Sequence, residues 1–132
     1  MNPLLVAAEL HKFIHSLGRM RTNLPEKSFN IGYKPFSFMG QQSKFVSIIG
    51  DKNYQCVIIH VDPGKPSSTK GISIQEELHQ IFRFNIDEMR KFKRKSHEVY
   101  IPFEVISTKE RMEVLKGLFG KCMRTLKGQG YE

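Results

Sequence analysis

Five basic residues and one aromatic fill the six positions Arg90-Lys-Phe-Lys-Arg-Lys95. Lysine and arginine at this density neutralise phosphates and release counterions, and Phe92 could stack on a base or pack inward. The same run would also serve as a solvated loop ahead of a strand. A second chemistry is suggested by Asp51, Asp62 and Lys65, because two carboxylates can hold a divalent metal while an ammonium positions a water. Other pairings are thinner. His11 and His15 sit four apart, but the sequence between them has no zincin glutamate and no third ligand is identifiable, so both are expected to be surface or boundary histidines. Gly64-Lys65 lacks the upstream glycine, the following hydroxyl and the helix start of a phosphate loop. Cys56 and Ser47 fall within predicted strands with no nucleophile motif around them, and His60, near Asp62, reads as a core or rim histidine. No catalytic residue, metal ligand set or cofactor is assigned.

These residues must be positioned by a β-hairpin. Lys44-Phe-Val-Ser-Ile-Ile-Gly50 and Tyr54-Gln-Cys-Val-Ile-Ile-His-Val61 are rich in β-branched and aromatic residues, and Asp51-Lys52-Asn53 joins them. The second arm is apolar on both parities, which suits an inner strand covered on both faces. Before the hairpin, Pro3 to Leu17 predicts a helix capped by Asn2, with Val6, Leu10, Phe13, Ile14 and Leu17 as its apolar stripe. Arg19 to Asn30 reads as a polar loop. Tyr33 to Met39 reads as an edge strand because of Pro35, and Gly40 to Ser43 as the turn into the hairpin.

After the hairpin, Asp62 to Gly71 is an exposed loop rich in proline, glycine and hydroxyl residues. Ser73-Ile-Gln-Glu76 is a capping box predicting a helix from about 74 to 83, and Asn85-Ile-Asp-Glu88 repeats the signal. His97 to Phe103 reads as a fourth strand, with Val99 and Ile101 on one face and Glu98 and Tyr100 on the other. Ser107 to Glu110 starts the longest helix, with Met112, Leu115, Leu118, Phe119, Cys122 and Leu126 as its stripe. The expected fold class is α+β: a mostly antiparallel four-stranded sheet packed by N- and C-terminal helices and a short middle helix, forming one domain over 1–132.

Helix, three strands, helix, strand, helix is also the order in the core of PD-(D/E)XK nucleases. Such a site needs a lysine two residues after the second acid. Position 64 is glycine and Lys65 is one residue too far. In an antiparallel hairpin turning at 51–53, Asp51 and Asp62 would also stand roughly 25 Å apart.

Composition narrows the partners. The 132 residues carry a formal net charge of +8, with six Lys/Arg against two acids in 1–50, nine against seven in 51–100 and six against four in 101–132. An excess of this size favours anionic partners such as nucleic acid, an acidic protein or a membrane surface, or else serves solubility alone. Apolar runs are too short to span a membrane, and Glu9 and Lys12 interrupt the only apolar N-terminal segment, so no membrane partner or secretory signal is expected and the N-terminus should be retained. Two widely separated cysteines, both on apolar faces, suit buried thiols in a cytoplasmic setting.

Lys44-Phe-Val-Ser-Ile-Ile, Cys-Val-Ile-Ile-His-Val and His97-Glu-Val-Tyr-Ile-Pro-Phe, with the capped helix that follows, resemble a small uncharacterised domain found in some predicted transport and restriction-associated proteins. The resemblance spans roughly residues 31–126 and rests on hydrophobic pattern. It implies an α+β accessory or binding module with DNA-linked settings, and it carries over no catalytic residues. The stretch from Pro63 to Phe92 is an insertion relative to it. The expected function is therefore a non-enzymatic binding module for nucleic acid, contacted through Arg90, Lys91, Phe92, Lys93, Arg94 and Lys95 with Lys65 and Lys70 as auxiliaries. A metal-dependent nuclease and a protein-interaction or small-ligand domain are the alternatives.

Overall fold

The computed structural model describes residues 2–23, 30–36, 44–51, 54–62, 65–89 and 94–128. Helix α1 covers Pro3–Ser16. Asn2 Oδ1 accepts from the Leu5 N–H at 2.9 Å, Pro3 occupies the first turn, and Val6, Leu10 and Ile14 are buried at helical spacing. Helix α4, Lys109–Lys127, buries Met112, Leu115, Phe119 and Met123. Its cap is displaced by one residue from the predicted box, since Thr108 Oγ1 accepts from the Arg111 N–H at 3.3 Å. Lys116 ties α4 to α1 through Glu9 Oε1 at 3.0 Å, and Phe13 stacks on Phe119 beneath that pair.

Strands β1 (Met20–Asn23), β2 (Asn30–Pro35), β3 (Val46–Asp51), β4 (Tyr54–His60) and β5 (Glu98–Pro102) form one sheet in the order β1-β2-β3-β4-β5, every neighbour antiparallel. The predicted hairpin is present, with Val46 opposite Ile59 and Asp51 opposite Tyr54. The sheet has five strands where four are expected from the sequence. The added strand lies in the supposed loop after α1: Met20-Arg-Thr-Asn has only one apolar residue, and it is held as a strand by pairing with β2 and by α1 above it. The strand expected at Tyr33 to Met39 begins earlier, at Asn30, and ends at Pro35; residues 37–43, with the predicted Gly40 to Ser43 turn, lie outside the described residues.

Both terminal helices share one face of the sheet. Val46, Ile48, Val57, Ile59, Val99 and Ile101 pack there with Val6, Leu10, Ile14, Leu115 and Phe119. Phe45, just before β3, joins the same core: its N–H donates to the Tyr33 carbonyl at 2.7 Å although Val46 is Tyr33's register partner, the two-against-one pairing of a bulge. On the opposite face Cys56 and Tyr100 meet Ile86 and Phe84, so β4 is covered on both sides. Ile86 belongs to a single helical turn, α3 (Ile86–Met89).

Helix α2 runs from Lys70 to Phe82, starting a turn before the predicted box; Thr69 precedes it without a side-chain cap bond. Its start is held both locally, the Lys70 N–H donating to Ser68 Oγ at 3.3 Å, and by β5. The Gly71 N–H donates to the Ser96 carbonyl at 2.9 Å, and a Cβ at Gly71 would lie 2.5 Å from the Glu98 carbonyl oxygen. One turn later the fully buried Gln75 places its amide along the open edge of β5: Oε1 accepts from the Tyr100 N–H at 2.7 Å and Nε2 donates to the Tyr100 carbonyl at 2.9 Å. The side chain thus replaces a sixth strand at that position. Arg83 ends α2 in the left-handed conformation, φ 56°, and a 3-10 turn, Phe103–Ile106, leads from β5 to α4.

Candidate functional site

The polar residues gather where β3 begins, β4 ends and β5 begins. His60 and Glu98 are register partners, and Ser47 pairs with Ile58, two residues before His60 on the same side of β4. This alternation brings three polar side chains together. Ser47 Oγ lies 2.9 Å from His60 Nε2, and His60 Nδ1 lies 3.7 Å from Glu98 Oε2. Glu98 Oε1 in turn faces His97 Nε2 at 3.6 Å and Lys95 Nζ at 3.8 Å. Glu98 alone would favour a protonated His60. Burial, then the charges of Lys44, His97 and Lys95, outweigh it and push the imidazole pKa down to about 4. His60 is therefore neutral at pH 7, able to accept from the Ser47 hydroxyl.

Serine, histidine and glutamate in this order resemble a nucleophile, its base and an orienting acid. The geometry withholds the nucleophile. Ser47 is only 7% exposed and lies inside a paired strand, and the imidazole to carboxylate distance exceeds hydrogen-bond length. The chemistry available is the satisfaction of a buried polar group beside a cationic rim.

That rim is built from separate segments. Lys44 precedes β3 and is exposed; Lys65 follows β4; Lys70 opens α2; Arg94 and Lys95 precede β5. Lys65 is 66% exposed and 3.8 Å from the buried Asp62 carboxylate, and Lys95 is equally exposed at the same distance from Glu98. Arg94 is more committed, donating to Asp87 Oδ2 at 2.8 Å. Arg94, Lys95, Ser96 and Glu98 line a shallow cleft of about 330 Å³ against Gly71 and Ile72 at the start of α2. Of the residues expected from the sequence, Lys65, Lys70, Arg94 and Lys95 thus fall at one end of the sheet. Arg90, Lys91, Phe92 and Lys93 lie outside the described residues.

Sequence inspection does not single out Lys44 or Glu98 for the site, and it weighs Ser47 and His60 separately without grouping them. Their proximity depends on cross-strand register, which no local pattern reveals. A polar serine and histidine interrupting two apolar strands were the available signal.

The carboxylates considered for metal chemistry are separated. Asp51 is at the turn, opposite Tyr54, and Asp62 lies beyond the far end of β4, whose extended length from Tyr54 to His60 is alone about 20 Å. Among the described residues, no three of His, Cys, Asp and Glu are grouped so as to hold a metal ion. His11 and His15 are used elsewhere: His11 Nδ1 meets the Tyr33 hydroxyl at 2.7 Å and His15 Nε2 meets Thr22 Oγ1 at 3.0 Å, fastening α1 to the β1–β2 pair. Burial pushes the Tyr33 phenol up to about 12, so it stays neutral in that contact. Among the described residues no helix is long and apolar enough to cross a membrane. No protein-family model, curated protein or solved structure matches this chain.

Proposed function

We propose that the chain is a non-enzymatic binding module for nucleic acid. In this proposal Lys44, Lys65, Lys70, Arg94 and Lys95 contact phosphates at the β4–β5 end of the sheet; the sequence-expected contacts Arg90, Lys91, Phe92 and Lys93 lie outside the described residues. The supporting observation is the convergence of cations from three separate stretches of chain on that end, in a protein of net charge +8. Among the described residues Lys65 and Lys95 pair at 3.8 Å with buried carboxylates while their own side chains stay 66% exposed, so each ammonium keeps an open side toward a phosphate. Phosphate contacts position a nucleic acid without reading its bases, so affinity should be largely indifferent to sequence.

The test replaces Lys44, Lys65, Lys70 and Lys95 together by glutamine and measures affinity for a labelled oligonucleotide duplex at low salt. Arg83→Gln and Lys109→Gln, on exposed residues at the other end of α2 and at the start of α4, serve as controls. The fourfold variant should bind about a hundredfold more weakly or worse, and the controls should bind as the parent does. Equal losses in all variants, or no loss in the fourfold one with its melting temperature unchanged, would remove the basis of the proposal.

A further inference from the structure

A separate groove of about 470 Å³ runs between α2 and α4, within the size range of small-molecule sites. The two helices are antiparallel along it: Arg111, near the start of α4, lies over the Phe82 ring at the end of α2, with 5.9 Å to the centroid. Lys70, at the start of α2, and Lys121, late in α4, therefore mark the same end of the groove. Among the described residues neither is ion-paired. The floor is Val61, Ile74, Leu78 and Leu118. At the far end Ile81 and Val114 remain 50% and 45% exposed and make that end of the groove apolar. Glu77, midway, is the one acid of the lining among the described residues. Cys122 adds apolar wall, since burial pushes its thiol up to about 11.

Gly117 supplies an independent observation. It stands within α4, where glycine costs about 1 kcal/mol relative to alanine, yet a Cβ there would meet nothing within 4 Å. Packing does not require the glycine; its missing side chain leaves the groove wall open.

We propose that this groove binds a small amphiphile with one anionic head, of the fatty-carboxylate class, its head between Lys70 and Lys121 and its tail reaching Ile81 and Val114. Eleven residues of α2 separate Lys70 from Ile81, about 16 Å at helical rise, which suits an extended chain of about a dozen carbons. Both lining cations stand at one end and the far end is apolar, which fits one carboxylate head there rather than a polyanion, and Glu77 midway would disfavour further negative charge along the tail; this site is distinct from the rim proposed for phosphate although Lys70 borders both.

The test titrates the full chain with dodecanoate and with dodecanol by calorimetry below their aggregation limits, using parent, Gly117→Phe and Lys121→Gln proteins. Dodecanoate should bind the parent about tenfold more tightly than dodecanol or better, the margin expected of a charge-assisted contact. Lys121→Gln should remove most of that margin and leave dodecanol binding unchanged, while Gly117→Phe should abolish binding of both. Absence of binding to the parent, equal affinity for acid and alcohol, or retained binding in Gly117→Phe would overturn the proposal. Should Gly117→Phe fail to fold, the acid-to-alcohol margin in Lys121→Gln decides alone. Lys121 is outside the rim proposed for nucleic acid, so oligonucleotide binding by Lys121→Gln tells failure of one site from failure of the other.

Discussion

At the scale of single residues, His60 and Gln75 carry the most consequence. The His60 imidazole is depressed from its ordinary 6.5 to about 4 by burial and by Lys44, His97 and Lys95, with Glu98 opposing them and Ser47 bonded to the ring. The unfolded chain then binds a proton between those values that the folded chain refuses. Stability from this group is complete above pH 6.5 and is lost as pH falls toward 4. Chemical denaturation should register a loss of about 2 kcal/mol between pH 7.5 and pH 5 that His60→Gln lacks. Equal pH slopes in both proteins would contradict the assignment. Gln75→Leu preserves size but strands the Tyr100 N–H and carbonyl on the edge of β5. It should cost about 2–4 kcal/mol, with faster hydrogen exchange at the Tyr100 amide. His60 is legible as a core or rim histidine, though its partners are not; the role of Gln75 is not legible. A glutamine on an amphipathic helix reads as surface, and only the approach of α2 to β5 turns it into a strand substitute.

At the scale of elements, legibility tracks how far each element is set by its own residues. The β3–β4 pair is evident because dense β-branched runs flank a polar turn, and α1 because its cap and stripe are local. β1 is hidden because Met20-Arg-Thr-Asn owes its extended form to β2 and to the His15 contact. The predicted start of α2 is late for a related reason: Ser73 and Glu76 satisfy a local rule, but the backbone bond from Gly71 to Ser96 extends the helix. Gly71→Ala tests this. Its new Cβ would press on backbone atoms of Ser96 and Glu98, which cannot rotate away, so the substitution should destabilise by about 1–3 kcal/mol despite alanine's better helix propensity. A neutral or stabilising result in thermal melts would show that α2 can shift off β5 freely.

At the scale of the molecule, charge and topology meet. An antiparallel meander with one long excursion, from β4 through α2 and α3 to β5, brings loop lysines distant in sequence to the same end of the sheet. The sequence showed the excess of charge and the basic residues near positions 65, 70, 94 and 95; it could not show that they adjoin, because adjacency follows from strand order. It also suggested two carboxylates for a metal, which the hairpin register holds at opposite ends of β4.

Salt dependence probes the phosphate-contact claim most directly. The logarithm of duplex affinity against the logarithm of salt concentration should fall about 0.9 per phosphate contacted, so neutralising Lys44, Lys65, Lys70 and Lys95 should flatten the slope by about 3–4. An identical slope in parent and fourfold variant, or a parent affinity indifferent to salt, would contradict it.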